Sequence, residues 1–525
     1  MDARPIFAIF EGGGAKGVAH TGAIKAVEES GFAFAAVAGS SAGAIVATLI
    51  AAGFGADEIF DAEEPNNNLL RRLKTNPVDL FGRQEWKQFK SLYSGRLIRR
   101  LLNPKCWIVC CRILRNRGHF STDNIRELIN SILRSRLYDL YAANTSFGSE
   151  WSVPERITFH DLDHSRFPGD LVPLKIVATN IRTGGLEIFD RELTPNVEVA
   201  DAVVASIAIP IIFQPVTMRS RPQDGPYLDG GLVSNLPIWV FSEDKLAWER
   251  EWPEDPPVPV VGFSLFERAS EVPNGIFGAF IHFLGRVART ALSGSQAVSQ
   301  QFVEDLEVIR LETDLGVLDF DRPLEDFSLA FLDGKRCAES GLKTAMIMKP
   351  DLIQRELHKI VEEIKGRIDA RRLERSEAPL AHYRGNLIQM SGRHTLRVRY
   401  AVNMDGDADD RLVLDDRSSG AAEAYRERTL VFQDFTNAQA FDFMRKYEKA
   451  QVRPTLKGAI CVPIFYNEDE WARQQSEDRS EPLGIFCFDS DEDIQIDYND
   501  QGFREFLVKR SAVLRAALAY GENNG

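Results

Sequence analysis

The sequence predicts two domains: an α/β domain with a mainly parallel sheet covered by helices on both faces, and then an α+β domain. Over residues 1–345, short apolar runs alternate with longer helix-like segments, which is the pattern of a parallel sheet with crossover helices. From residue 381 to 525, compact apolar strands separated by polar loops precede a helix, which indicates an antiparallel sheet with flanking helices. A length of 525 residues also fits two domains better than one.

Apolar runs define the strands of the first domain, and helix-like segments beginning near His20 and Ala42 separate the earliest of them. The predicted strands are residues 5–10, 35–39, 173–181, 258–266 and 306–313. Residues 346–380 form a linker, predicted to be an amphipathic helix because its apolar residues recur at spacings of three and four. In the second domain, strands are predicted at residues 395–403, 456–465 and 482–490, with a closing helix over 503–520.

Composition excludes several classes of protein. Lys and Arg total 63 against 77 Asp and Glu, and a net charge of -14 argues against nucleic-acid binding. The six cysteines form no C-x-x-C pair, so neither a disulfide scaffold nor a thiolate zinc site is expected, and no metal or cofactor is predicted. The N-terminal segment lacks the features of a secretion signal, and the longest apolar stretch, residues 42–56, is too short to cross a bilayer. A cytoplasmic protein is the expectation.

A glycine-rich loop, EGGGAKG from Glu11 to Gly17, follows the first predicted strand and precedes a helix. Consecutive glycines let the backbone turn its N–H groups toward one point, which suits a phosphate or a developing oxyanion. A second motif, GSSAG from Gly39 to Gly43, lies in the strand-turn-helix context of a nucleophile elbow, and its register selects Ser41. Taken alone, GSSAG fits equally well a turn of small residues that packs a helix against the sheet.

Ser41 would need a base to activate it, because a serine hydroxyl alone is a weak nucleophile. None of the eight histidines lies in a glycine turn. The sharper candidate is Asp229, which precedes Gly230 and Gly231 in DGGLVSNLP. A carboxylate has an ordinary pKa near 4 and must be helped by positioning and by exclusion of water. In isolation, Asp-Gly-Gly is more typical of a β-turn.

Together with ASIAIPIIFQPV at residues 205–216, these motifs resemble the patatin-like phospholipase family and occur in the family's order. The resemblance implies a three-layer α/β/α hydrolase with a Ser41–Asp229 dyad and no catalytic histidine. It further implies an oxyanion hole and a supporting loop. The oxyanion hole would use the N–H groups of Gly12, Gly13 and Gly14, and the supporting residues would be Lys16, Gly17, Gly39, Gly43, Gly230 and Gly231. Glu11 stands where Asp is common in the family, and Lys16 replaces the usual Arg.

Two amphipathic segments have more than one interpretation. Residues 96–117 carry seven basic residues around an apolar centre, which fits a contact with anionic lipid, a lid over the site or a core helix. Their cysteines at 106, 110 and 111 are interpreted as buried small hydrophobic residues rather than as acylation sites. Residues 276–287 are favoured as core packing, with His282 as a bystander.

The second domain resembles GAF-type sensors through its paired strands, its variable loop and its closing helix. The resemblance implies a small-molecule ligand, frequently a cyclic nucleotide. A dimerisation module without a ligand is the alternative.

The combined expectation is a lipid acyl hydrolase of the phospholipase A type. It would act on membrane phospholipids while peripherally associated with the inner face of the membrane, and its C-terminal domain would regulate it or set a homo-oligomeric state. Resemblance to patatin-like effectors of nucleotide-signalled antiphage defence implies activation by a second messenger. The alternatives are an acyltransferase or soluble-ester esterase, and a noncatalytic lipid-binding scaffold.

Overall fold

The structure is a computed structural model. The chain folds into two compact units, Met1–Leu342 and Lys343–Gly525. The structure describes the continuous ranges given next and a few single residues between them. The continuous ranges described are residues 3–62, 82–93, 104–143, 152–251, 258–268, 306–390, 395–404, 412–418, 420–437, 452–466 and 480–519.

The first unit alternates strands and helices. Its strands are β1 (Arg4–Phe10), β2 (Phe32–Gly39), β3 (Gly118–Phe120), β4 (Leu174–Asn180), β5 (Gly185–Phe189), β6 (Ile211–Phe213), β7 (Val216–Thr217), β8 (Pro226–Asp229), β9 (Val260–Glu267) and β10 (Leu306–Thr313). Its helices are α1 (Val18–Glu29), α2 (Ala42–Ala51), α3 (Ala56–Ile59), α4 (Arg83–Tyr93), α5 (Pro104–Asn116), α6 (Asp123–Ala143), α7 (Val199–Ser206), α8 (Ser242–Glu251) and α9 (Leu324–Lys343).

The main sheet of this unit has the order β10-β9-β1-β2-β4-β8-β7, with β5 also paired to β4. The strands from β10 to β4 run parallel, whereas β5, β7 and β8 join antiparallel. The five predicted strands are confirmed, and so is the mainly parallel sheet. Strands β1 and β2 are buried along most of their length, as expected for strands covered on both faces. Because β1 and β2 run parallel, their carboxyl ends lie at the same edge of the sheet.

The second unit is built on an antiparallel sheet. Its elements are α10 (Lys349–Glu374), β11 (Tyr383–Met390), β12 (Thr395–Val402), β13 (Val413–Asp415), α11 (Ala421–Glu427), β14 (Val431–Asp434), β15 (Gly458–Ile464), β16 (Gly484–Ser490), α12 (Gln495–Tyr498) and α13 (Gln501–Leu518). The strand order is β13-β12-β11-β16-β15-β14, with every pairing antiparallel. The predicted α+β architecture is confirmed.

Helix α10 covers most of the segment that the sequence assigns to a linker. Its apolar residues are buried in one core with residues of β15, β16 and α13; the α10 members are Ile353, Leu357, Ile360, Val361, Ile364 and Ile368. The helix thus forms part of the core of the second unit. Among the helices described in either unit, none is long and apolar enough to cross a membrane.

Candidate active site

Ser41 occupies a sharp turn between the end of β2 and the start of α2. Its backbone angles are φ 52 and ψ -125, a conformation that costs energy for a residue with a side chain. The Ser41 N–H donates to the Ser206 hydroxyl at 2.9 Å, which helps to hold the turn. A strained serine at a strand-to-helix turn is the geometry of a nucleophile elbow.

The glycines on either side of Ser41 are required by close packing. A Cβ on Gly43 would lie 2.0 Å from the carbonyl oxygen of Phe10 in β1, and a Cβ on Gly39 would lie 2.2 Å from the carbonyl oxygen of Gly43. Neither position has room for a side chain. The small residues of GSSAG thus let the turn sit directly against the strand that leads into the glycine-rich loop.

Asp229 ends β8 and is buried, with 6% of its surface exposed. Its Oδ1 accepts a hydrogen bond from the Gly231 N–H at 2.7 Å, and its carbonyl oxygen accepts one from the Thr179 hydroxyl at 2.9 Å. Burial raises the pKa of Asp229 to about 6, and the Ser41 hydroxyl and the Gly231 N–H partly offset that rise by stabilising the carboxylate. The sequence-predicted nucleophile and base therefore lie side by side.

The contact between Ser41 and Asp229 is loose. Oδ2 of Asp229 is buried and has no partner with full hydrogen-bond geometry in the described part of the chain. Catalytic hydrogen bonds are often long or poorly aligned outside a substrate complex and tighten when substrate binds. Oδ2 is thus the carboxylate oxygen that remains open to accept a proton.

His20 lies beneath the glycine-rich loop, where its Nε2–H donates to the carbonyl oxygen of Glu11 at 2.8 Å. Burial lowers the pKa of His20 to about 4; the hydrogen bond to Glu11 opposes this change and the nearby Lys16 ammonium adds to it. The imidazole is therefore neutral near pH 7. Its hydrogen bond supports the loop rather than Ser41 or Asp229.

The N–H groups of the glycine-rich loop are not equivalent. The Gly12 N–H donates to the carbonyl oxygen of Asn235 at 3.2 Å, and the Ala15 N–H donates to that of Val317 at 3.0 Å. For the N–H groups of Gly13 and Gly14, the described residues provide no acceptor. Of the three donors expected for an oxyanion hole, Gly12 is thus engaged within the protein, unlike Gly13 and Gly14 among the described residues.

Glu11 and Asn235 are site residues whose contacts sequence reasoning missed. The Asn235 amide donates to Glu11 Oε1 at 2.7 Å and to the Gly12 carbonyl oxygen at 3.1 Å. Glu11 Oε2 accepts from the Ser264 hydroxyl and the Leu265 N–H, both at 2.6 Å. Asn235 lies six residues after Asp229 in the motif DGGLVSNLP, and this closeness in sequence was the one signal that could have indicated a place in the site.

A cavity of about 730 Å³ opens beside Ser41 and Gly14. This volume falls in the range of small-molecule sites, roughly 300 to 1,000 Å³. Most of the lining is apolar and includes Ala42, Ile45, Val46, Leu49, Phe60, Trp86, Ile129, Ile132, Phe213 and Phe327. Ser41 of the elbow and Gly14 of the glycine-rich loop therefore adjoin a space whose walls are mostly apolar.

Residues 8–242 match the profile of the patatin-like phospholipase family. This segment is a patatin-like phospholipase domain. It contains the glycine-rich loop, the elbow and Asp229, in that order along the chain.

Two curated relatives share sequence with the chain. It is 27% identical over 344 residues to the uncharacterised protein YqhO of Bacillus subtilis, covering 64% of this chain and 97% of that protein. It is 26% identical over 231 residues to the probable lipid hydrolase 463L of Invertebrate iridescent virus 6, covering 44% of this chain and 61% of that protein. Among solved structures, VipD from Legionella pneumophila aligns with a TM-score of 0.32 at 17% identity, covering 72% of this chain and 78% of VipD.

Charged residues also line the cavity of the patatin-like domain: Arg83 and Lys87, one turn apart on α4, together with Asp321 and Arg322. Asp321 forms an ion pair with Lys90. Arg322 pairs with two acidic side chains, whereas for exposed Lys87 the described residues provide no ion-pair partner. The cavity thus combines apolar walls with positive charge.

The ambiguous segments are only partly described. Residues 104–116 of the basic segment form α5, and Cys111 is exposed there, so its interpretation as a buried residue was wrong. Cys111 lies on a solvent-exposed side of α5, which the periodicity of the sequence did not predict. Residues 96–103 and the whole of 276–287, including His282, lie outside the described residues.

The second unit has a much smaller cavity, about 70 Å³, on one face of its sheet. Buried polar residues line it, including Arg384 and Asp489, which form a two-pronged ion pair at 2.9 and 3.0 Å. A nucleotide would require this cavity to enlarge, because sites for drug-sized ligands are usually several hundred Å³.

Proposed function

We propose that the chain is a lipid acyl hydrolase of the phospholipase A type that uses Ser41 as nucleophile and Asp229 as general base. The observation that carries the proposal is a strained serine facing a buried carboxylate beside an apolar cavity of about 730 Å³. The patatin-like phospholipase match and the lipid hydrolase named among the relatives support lipid hydrolase activity. The dyad assignment rests on the geometry.

In the first half-reaction, the Ser41 hydroxyl attacks the ester carbonyl while Asp229 accepts its proton. The carbonyl oxygen gains negative charge, which the N–H groups of Gly13 and Gly14 stabilise. The C–O bond to the alcohol then breaks, and the proton passes from Asp229 to the departing lysophospholipid. The acyl group remains as an ester on Ser41.

In the second half-reaction, water attacks the acyl ester on Ser41, and Asp229 accepts a proton from that water. The Ser41 oxygen leaves and regains the proton. One ester and one water thus become one fatty acid and one alcohol, and both the serine and the carboxylate return to their starting states. A lipid alcohol in place of water would give the acyltransferase alternative.

A long-chain lipid substrate is favoured over a short soluble ester. Each methylene group buried in an apolar environment contributes about 0.8 kcal/mol, so a long acyl chain gains far more from this cavity than a short one. The cationic residues at the cavity, Arg83 and Lys87, complement the phosphate of a phospholipid. A neutral glyceride would offer no anion to Lys87, for which the described residues provide no ion-pair partner.

Regulation by the second unit is a further part of the proposal. The unit has its own sheet and its own core, as a GAF-like sensor or a dimerisation module would. We propose that a cyclic nucleotide, another small molecule or homo-oligomer formation controls the hydrolase at the inner face of the membrane. A role as an antiphage effector that degrades membrane lipid is part of the proposal through the resemblance to patatin-like effectors of nucleotide-signalled defence.

The test is fatty-acid release from phospholipid vesicles, measured by mass spectrometry, for the wild type and Ser41→Ala. Ser41→Ala is expected to abolish release and to abolish labelling by a fluorophosphonate probe. Ser131→Ala removes an exposed hydroxyl on α6 and serves as the matched control. Release or labelling that persists in Ser41→Ala refutes the assignment, and a wild type inactive toward every lipid and ester favours the noncatalytic scaffold.

A further inference from the structure

Asn235 lies where the glycine-rich loop, the Asp229 loop and the elbow meet. Its carbonyl oxygen accepts the Gly12 N–H at 3.2 Å, and its side-chain amide donates to the Gly12 carbonyl oxygen at 3.1 Å. Both polar groups of the Gly12 backbone are thus held by a single residue. We infer that Asn235 is a positioning residue that sets the oxyanion-hole donors relative to the base, an inference that rests on the proposed function.

The same amide also packs against the other two catalytic elements. A Cβ on Gly12 would lie 2.5 Å from Asn235 Oδ1 and 2.7 Å from the Cβ of Ser41. A Cβ on Gly231 would lie 2.6 Å from Asn235 Oδ1 and 2.8 Å from Asp229 Oδ1. Gly12 and Gly231 therefore leave the space that the amide occupies against the glycine-rich loop and the Asp229 loop.

Glu11 dictates which side chain can serve at position 235. Its carboxylate can only accept hydrogen bonds, and Oε2 already accepts from Ser264 and Leu265 of β9. Oε1 needs a donor, which the Asn235 amide supplies at 2.7 Å. The amide thereby connects the Asp229 loop to a carboxylate anchored on the central sheet. An aspartate at 235 would instead place two carboxylates in contact.

Positioning of this kind acts on the chemical step. Oxyanion donors stabilise the developing charge only from about 2.7 to 3.1 Å, and removal of one typically costs about 10²- to 10³-fold in kcat. Gly13 and Gly14 follow directly after the residue that Asn235 holds. Displacement of Gly12 therefore moves both donors away from the substrate carbonyl oxygen.

The experiment measures kcat and KM on a soluble p-nitrophenyl ester, with active sites counted by fluorophosphonate labelling. Asn235→Ala and Asn235→Asp are expected to lower kcat per labelled site by about 10²-fold with KM changed less than about threefold. The double variant Glu11→Gln with Asn235→Asp is expected to recover at least about tenfold over Asn235→Asp. In it the amide of the introduced glutamine donates to the introduced aspartate, while the glutamine oxygen still accepts from Ser264 and Leu265. The recovery is partial, because an aspartate has no donor for the Gly12 carbonyl oxygen.

A merely structural role predicts a different result: a lower labelled fraction and a lower Tm, with kcat per labelled site unchanged. That result overturns the inference, as does a double variant no faster than Asn235→Asp. Asn235→Ala, which adds no charge, decides the matter if Asn235→Asp does not fold. An active wild type with unaffected variants refutes this inference alone, whereas a wild type that hydrolyses no ester refutes it together with the proposed function.

Discussion

The base role proposed for Asp229 depends on the surroundings of its carboxylate. An exposed aspartate has a pKa near 4 and holds a proton too weakly to be an efficient base at neutral pH. Burial raises the pKa of Asp229 to about 6, which is closer to neutral pH. A histidine is not needed for proton transfer in this range.

The rate should depend on pH through this carboxylate. Because Asp229 must be ionised to accept the Ser41 proton, kcat/KM on a soluble ester is expected to fall about tenfold per pH unit below about 6 and to level off above it. The measurement is a profile from pH 4.5 to 9. An inflection near the ordinary histidine pKa that disappears in a histidine variant would point to a different base.

The same burial has a measurable effect on stability. Since the folded-state pKa of Asp229 is raised from 3.8 to about 6, the stabilisation is complete below pH 3.8 and is lost as pH rises through about 6. This rise in the pKa of Asp229 corresponds to a change of about 3 kcal/mol in the free energy of unfolding. Asp229→Asn carries no such titration, so its free energy of unfolding relative to the wild type is expected to rise by up to about 3 kcal/mol between pH 4 and 7.

Urea unfolding of both proteins at several pH values checks this prediction, and activity in the same samples is expected to be lost in Asp229→Asn. Thr179→Val, which removes the hydroxyl bonded to the Asp229 backbone without changing any titrating group, is the control. If the difference in free energy of unfolding between Asp229→Asn and the wild type does not change with pH, folding does not raise the pKa of Asp229.

At the residue scale, local motifs singled out Ser41 and Asp229, which the structure brings together, but they did not reveal the contacts of the neighbouring residues. The glycines flanking Ser41 mark a tight turn within five residues of sequence, so the signal is local. The bond from Asn235 to Glu11 joins positions 224 apart in the chain, and that contact exists only after the sheet has formed. The engagement of the Gly12 N–H by Asn235 was hidden for the same reason.

At the scale of elements, helix α4 turns one apolar face inward and presents charge at the cavity. Trp86 and Phe89 are buried, whereas Arg83 and Lys87 are exposed. This division follows from helical geometry, which places residues four apart on one face. The helix therefore supplies both a wall of the cavity and a charged surface near its lining.

Lys87→Glu is expected to weaken action on anionic vesicles by about tenfold or more at low salt. One basic residue near an anionic lipid surface contributes about 1 kcal/mol, and charge reversal replaces that attraction by repulsion. Hydrolysis of a soluble ester should be unchanged. The assay compares phosphatidylglycerol with phosphatidylcholine vesicles at low and at high salt.

Lys509→Glu makes the same charge change on an exposed position of α13 and is the matched control. If both lysine variants lose activity equally, net charge rather than the cavity explains the effect. An equal loss on phosphatidylcholine and phosphatidylglycerol would argue against recognition of anionic lipid by Lys87.

At the scale of the molecule, periodicity predicted both sheets because each has a distinct pattern. Continuous apolar runs became the buried parallel strands β1, β2 and β9, and compact runs after residue 381 became the antiparallel strands β15 and β16. The role of α10 was less apparent. Its apolar stripe specifies a buried face, but the sequence does not specify which sheet will cover that face.

If the second unit restrains the hydrolase, the full chain should have low activity on vesicles. One ligand from a panel of cyclic nucleotides should raise that activity. A ligand shifts such an equilibrium from mostly inactive to mostly active only if it prefers the active state by about 10⁴-fold. Residues 1–342, once shown to fold by circular dichroism, are expected to be unresponsive to every ligand. Full activity of the unliganded chain, unchanged by truncation and by the whole panel, would exclude a switch.

The apolar cavity beside Ser41 has a kinetic consequence for the end of the reaction. In the proposed reaction, the apolar walls that bind an acyl chain also bind the released fatty acid, and each methylene group raises the affinity about fourfold. Release of the fatty acid then limits the turnover of long-chain esters. A bilayer dissolves the fatty acid and so speeds its release. Long-chain esters presented without a membrane should therefore show a fast first turnover followed by a slow steady state.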